Sequence, residues 1–339
     1  MKRAAFLLAT AFLAFPAYAA DSNKPDWAYA VPPQPATPPA QPGQRPPPDL
    51  TPLSIAGSKF HFTRNKVQGV ADDGSRTRVQ PADWFPEEHP NPIPPIVAVG
   101  DQSRGITPCS LCHMPEGRGR TENGQIAGLT SAYFIEQMHD FASGARQSAE
   151  PLKANAKQMA AFAKAMTEDE IKAAADYYAA IPYVTWTKVV ETTTSPKVES
   201  HNGLYIPLTG DKAGTEPLGE RIIEVPVDPE ATELKRDPHS GYVAYAPIGA
   251  VAAGRALATS NGKTPACTGC HGADLMGGTA PSIAGRTATY IAQQLYDIQA
   301  GARNGAGARQ MKPVVAKLDG KDILDLAAYV ASLPVKPVK

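Results

Sequence analysis

Cysteine is nearly missing from this chain, with four residues in 339. In an exported protein four cysteines would ordinarily be read as two disulfides. Long apolar runs are missing too. Beyond residue 20 no stretch approaches the roughly 18 uninterrupted apolar residues that a membrane span needs. No cysteine stands near that point to carry a lipid. Excess charge of either sign is also absent, since 33 Lys and Arg face 33 Asp and Glu. Without Lys2 and Arg3 the balance is 31 basic against 33 acidic residues, which points away from a nucleic-acid partner.

One short apolar run is present, at the start. "MKRAAFLLATAFLAFPAYAA" joins a basic start to an apolar run from Ala4 to Phe15 and an Ala17-Tyr18-Ala19 exit. That pattern is a secretory signal over residues 1–20, so the expected location is periplasmic. A remainder of about 320 residues is long enough for two domains, each with its own core.

The cysteines answer the disulfide question by their spacing. "CSLCH" at 109–113 and "CTGCH" at 267–271 are two copies of C-x-x-C-H. A zinc ribbon needs its cysteine pairs about 15–20 residues apart. Here 154 residues intervene. A thioredoxin-like motif needs a βαβ setting and has no use for the adjacent histidine. Two thiols on one helical turn can each bond a vinyl group of one porphyrin, and the next side chain is then held beneath the iron. The reading is two covalently bound haem c groups on Cys109 and Cys112 and on Cys267 and Cys270, with His113 and His271 as proximal iron ligands.

With these motifs the chain resembles the class I cytochromes c, specifically their tandem diheme, two-domain periplasmic forms. The resemblance covers residues 96–184 and 246–336, and it implies a mainly α fold with two cytochrome c domains in tandem.

The two halves align on each other. "IAGLTSAYFIEQMHDFASGAR" (126–146) lies over "IAGRTATYIAQQLYDIQAGAR" (283–303), and "MAAFAKAMTEDEIKAAADYY" (159–178) over "MKPVVAKLDGKDILDLAAYV" (311–330), both without a gap. Each half predicts a haem-attachment turn, a helix near 130–142 or 287–300, a loop carrying a methionine, and a closing helix. Thr167-x-x-Glu170 reads as a capping box and Asp319-x-x-Asp322 as a weaker variant. Iron held by His on one face commonly takes a Met thioether on the other. Met114 follows the proximal histidine too closely, Met138 aligns with Leu295, and Met166 aligns with Leu318. Met159 alone aligns with a methionine, Met311, and the resemblance points to the same segment. These two are the expected sixth ligands.

Pro281 stands where such cytochromes carry a proline whose carbonyl orients the proximal histidine, whereas the first half has Gly124. A backbone carbonyl can still serve there, but with His113 less firmly held, and the expectation is two haems of different potential. Arg146 and Arg303 end the middle helices, either solvated beside a glycine cap or near the haem propionates. Tyr133 and Tyr290 are read as core edge. His61, His89, His139, His201 and His239 do not recur between the halves and are not expected to bind iron.

Outside the repeat, residues 21–52 are too proline-rich for regular packing and read as an extended tether. Residues 53–95 are irregular and expected to pack on the first haem domain, because Trp84 and Phe85 need cover. Residues 185–245 read as a small β-hairpin insert. Electron transfer between a donor dehydrogenase and an acceptor such as a terminal oxidase is the expected function, with docking to a membrane complex compatible with it. The alternatives are a diheme peroxidase, which needs one iron with an open position, and a cytochrome subunit of a larger dehydrogenase.

Overall fold

A computed structural model of the chain describes residues 23–31 and 49–335, so the expected signal lies outside the described residues. After a two-residue pairing of β1 (Pro52–Leu53) with β2 (Phe62–Thr63) come two short helices, α1 (Arg64–Val67) and α2 (Pro95–Ala98). A first helical unit follows: α3 (Cys109–His113), α4 (Ser131–Ser143), α5 (Ala154–Ala165) and α6 (Glu168–Ala179). Next come β3 (Thr187–Glu191), β4 (Thr194–Pro196), β5 (Val198–His201), β6 (Leu204–Pro207), β7 (Thr215–Pro217), β8 (Ile223–Pro226) and β9 (Tyr242–Ala246). A second helical unit closes the chain with α7 (Ala250–Thr259), α8 (Thr268–His271), α9 (Ala288–Gln299), α10 (Ala306–Val315) and α11 (Gly320–Ser332).

The helices start where their side chains can satisfy the first free N–H groups. Thr130 accepts from Tyr133 N at the start of α4, and Thr167 and Glu170 close a capping box on α6. Asp319 and Asp322 close an equally complete box on α11, because a shorter carboxylate at the third position still reaches the cap N–H. The expected methionine loops are helices instead. Met159 sits in the alanine-rich α5 and Met311 in α10. Alanine has the highest helix propensity, and α5 carries six alanines in twelve residues.

The closing helices bury their apolar stripes in two cores. Ala174, Tyr177 and Tyr178 join Ile96, Val97 and Ile106 in the first unit. Ile323, Leu326, Ala327 and Val330 join Ile291, Ala292 and Leu318 in the second. Gly254 lets α7 cross α11 at backbone contact, since a Cβ there would lie 1.9 Å from Asp325 O. Among the described residues the first unit has no helix of that length before its attachment turn, and the four-residue α2 packs on α6 in that place.

The insert is more than a hairpin. β5 and β6 do form one, but β3 pairs parallel with β9 and β9 pairs antiparallel with β8. Thr187 thus faces Tyr242 across a long crossover, a pairing that local turn signals cannot reveal. Alternate residues of β9, Tyr242, Ala244 and Ala246, point inward, as the period of a strand requires. Glu224 on β8 is buried against the second unit. It accepts from Thr289 N at 3.0 Å, Ala288 N at 3.2 Å and the hydroxyls of Thr289 and Thr187, filling the cap of α9.

Part of the expected tether is packed. Ala28, Tyr29 and Ala30 are buried on the second unit, where the Tyr29 hydroxyl donates to Asp297 Oδ1 at 3.0 Å and Gln293 Nε2 donates to Ala28 O at 2.5 Å. The prolines that argued for extension fall mostly in residues 32–48, outside the described residues. Trp84 and Phe85 are covered by Ile55, Val67 and Ala82 of their own segment and by the insert, with Trp84 Nε1 donating to Lys235 O at 2.9 Å and Phe85 stacked on His239 at 3.9 Å.

Candidate functional site

In the first unit α3 delivers Cys109, Cys112 and His113 to one wall of a cleft with about 1280 Å³ of empty space, its open mouth included. Phe134, Phe162, Met138, Met159 and Met166 supply apolar lining from α4, α5 and the turn after it. The His113 ring is oriented by its Nδ1, which lies 2.8 Å from Gly124 O. Burial lowers the His113 pKa, favouring the neutral imidazole that a metal needs. Burial also pushes the Cys109 thiol up to about 12 and raises Cys112. Thiols so strongly protonated are poor exchange nucleophiles, which counts against a redox dithiol. No disulfide joins either cysteine pair.

The second unit repeats the arrangement. α8 carries Cys270 and His271 with Cys267 at its cap, and His271 Nδ1 lies 2.7 Å from Pro281 O. The other ring nitrogen, Nε2, is buried with no hydrogen-bond partner. Such an atom needs a partner that the protein side chains do not supply. A covalently tethered porphyrin iron fits this need: a neutral imidazole with a committed Nδ1 offers Nε2 to a metal, beside two thiols on one turn. Met311, half-buried, packs at the edge of the same core as Cys267 and Leu295.

Of the predicted residues, His113 and Met159 line one cleft, together with Cys109 and Cys112. Met114 is buried elsewhere, against Trp186, Leu204 and Tyr242. The five remaining histidines lie outside the cleft lining. Four of them have other partners, with His89 on Asp83, His139 on Glu168, His201 on Glu233 and His239 on Glu88.

The two arginines lie between the halves, so the solvated reading is wrong for both. Arg146 Nη2 donates to the Tyr290 hydroxyl at 2.9 Å, and Arg303 Nη2 donates to the Tyr133 hydroxyl at 3.3 Å. Gln137 and Gln294 each accept from both guanidiniums. Backbone bonds Gln147 N to Ala302 O at 2.8 Å and Asn304 N to Ala145 O at 2.7 Å complete a pseudo-twofold contact. Tyr133 and Tyr290 are therefore interface residues rather than core edge. Pairwise identity of Gln137 with Gln294 in the repeat was the sequence signal for this contact.

Lys153 and Asn155 also line the first cleft, and neither the attachment motif nor the repeat marks them. Burial pushes the Lys153 ammonium down to about 8. A cation held there without a carboxylate bond suits an anionic group in the cleft.

Among known proteins, the family model "Cytochrome c" matches residues 251–334. Cytochrome c4 of Stutzerimonas stutzeri is 33% identical over 163 residues, covering 41% of this chain and 76% of that protein. Cytochrome c4 of Azotobacter vinelandii is 25% identical over 245 residues, covering 70% of this chain and 90% of its own. The thiosulfate dehydrogenase electron acceptor of Thiomonas intermedia is 24% identical over 278 residues, or 81% of this chain and 94% of that one.

Proposed function

The chain belongs to the cytochrome c4 family, a diheme electron-transfer cytochrome with two covalently bound haem c groups, and from this premise we propose how its own residues serve that role. Cys109 and Cys112 hold the first haem and Cys267 and Cys270 the second. His113 and Met159 would ligate one iron, and His271 and Met311 the other. When bound, each haem supplies an iron that gains and loses one electron.

The chain sets the terms of that exchange. Donation from each imidazole Nδ1–H to a backbone carbonyl fixes the ring plane and makes Nε2 a stronger donor. A methionine thioether in the ligand set would favour the reduced metal and so raise the potential. Since the chain itself offers a histidine and a methionine to each site, the same residues would hold the iron in either oxidation state. Arg146 and Lys153 line the first cleft and offer cations to the acid groups of the porphyrin.

The observation that carries this reading is the repeated Nδ1-to-carbonyl bond, 2.8 Å on His113 and 2.7 Å on His271, each behind a C-x-x-C turn. The protein is proposed to be an exported periplasmic carrier rather than an enzyme, with a dehydrogenase as donor. Thiosulfate dehydrogenase is the first donor to try, on the strength of the relative that accepts its electrons. Among the described residues no helix is long and apolar enough to cross a membrane.

Mass spectrometry of the exported protein should show two added haems. Met159→Ala and Met311→Ala should each abolish one thioether-to-iron charge-transfer band and lower one of two midpoint potentials, with haem content unchanged. Spectra unaltered by either substitution would refute the axial assignment. Rapid mixing with reduced thiosulfate dehydrogenase should reduce both haems, and no reduction would remove that donor.

A further inference from the structure

Gly124 and Pro281 do the same work with unequal means. Proline fixes its own φ, so the carbonyl that orients His271 is held locally. Glycine is the residue with most backbone freedom, yet Gly124 O meets His113 Nδ1 at an equally short 2.8 Å. Something outside the loop must supply the missing rigidity.

We propose that Arg286 of the second half is a positioning residue for the first haem, holding in place the loop whose carbonyl orients His113. This rests on the reading of His113 as an iron ligand. Arg286 interrupts an otherwise shared I-A-G-x-T run, since the aligned position in the first half is Leu129. It is 3% exposed and has no salt bridge among the described residues. A buried guanidinium without a carboxylate is costly unless its N–H groups are all met.

Here a carbonyl accepts from each of the three guanidinium nitrogens. Nη1 donates to Gln125 O, the neighbour of Gly124. Nη2 donates to Ala127 O at 3.3 Å and Nε to Ser282 O at 3.3 Å, the latter beside Pro281. One guanidinium therefore ties together both histidine-orienting loops. The Tyr183 ring covers the guanidinium at 4.2 Å, and the Tyr183 hydroxyl lies 3.0 Å from Gln125 Oε1 and 2.7 Å from Gly285 O. Thr287 N donates to the same Gln125 Oε1 at 3.1 Å. Gln125 is thus gripped through its main chain and its side chain by the other half.

Gly124 itself is what permits the approach. A Cβ there would lie 3.3 Å from the Tyr290 hydroxyl and 3.6 Å from its ring. Where the second loop has stiffness from its own proline, the first has a residue small enough for the other half to press on.

The test uses the two-haem protein, verified by mass. Haem methyl signals in the hyperfine-shifted proton spectrum report the imidazole plane, and contacts to Phe134 and Phe162 identify the first haem. Arg286→Leu, which copies Leu129, should move the first haem's methyl pattern and lower its midpoint potential, with the second haem's pattern little changed. Arg286→Lys retains the charge without the fork, so it should keep the potential and still move the methyl pattern.

A Lys variant with the parental pattern would reduce Arg286 to a charge and overturn the proposal, as would equal movement at both haems. Should the Leu variant fail to fold, the Lys variant decides. A parent protein without two haems would instead defeat the haem reading itself, an outcome distinguishable from an unmoved pattern in a two-haem protein.

Discussion

Glu116 stands three residues past His113 with 2% of its surface exposed and neither carboxylate oxygen hydrogen-bonded. Burial pushes it from 4.5 up to about 7. The folded protein therefore holds a proton that the unfolded chain gives up above about pH 4.5. The resulting stability is complete below that pH and drains away as pH rises through about 7, a loss on the order of 3 kcal/mol. Glu116→Gln removes the ionisable group, so denaturant titrations should show parent and variant alike near pH 5 and the variant more stable near pH 8.5. A parent whose midpoint is flat across that range would contradict the argument. At this scale the sequence was informative about the attachment residues, because their spacing is chemistry in itself. It was silent about Glu116, Lys153 and Arg286, whose roles depend on what surrounds them.

Among the elements, α7 crosses α11 at backbone contact, and Gly254 is the condition for it. Ala at this position places a methyl group 1.9 Å from Asp325 O, so the helices must part or bend. Overpacking of this kind costs about 1–3 kcal/mol or more. Gly254→Ala should lower the denaturation midpoint accordingly, and an unchanged midpoint would show that the crossing is loose. The cap of α9 offers a second measurement. Glu224→Ala leaves buried N–H and hydroxyl groups without an acceptor, a loss of about 2–3 kcal/mol. Helix periodicity and capping boxes were legible in the sequence. The methionine helices were misread as loops since the repeat marks position and says little about conformation. The β3 to β9 pairing was invisible, because parallel partners share no local turn.

At the scale of the whole molecule, residues 23–31 tie the halves together. Tyr29 is 5% exposed and bonds Asp297, while Lys24 pairs with Glu150 of the first unit at 2.7 Å. Tyr29→Ala should cost about 3–5 kcal/mol, the usual result of emptying a buried aromatic site. Calorimetry checks this, and a loss under 1 kcal/mol would mean that the segment only rests on the surface. Across the main contact Arg146 and Arg303 bond the opposite half's tyrosines. This symmetry was half visible in the aligned Gly-Ala-Arg endings, but which way the arginines turned was not.

By itself the sequence determined the chemistry: two thiols and an imidazole at fixed spacing, twice over, commit the chain to two haems wherever the attachment turns come to lie. Only the tertiary structure decided how the two sites differ. Proline holds one orienting carbonyl from within its own loop, and Gly124 leaves the other to Arg286 and Tyr290. The reason is physical: a covalent motif is a property of neighbours along the chain, whereas the stiffness of a loop depends on contacts between residues about 160 positions apart.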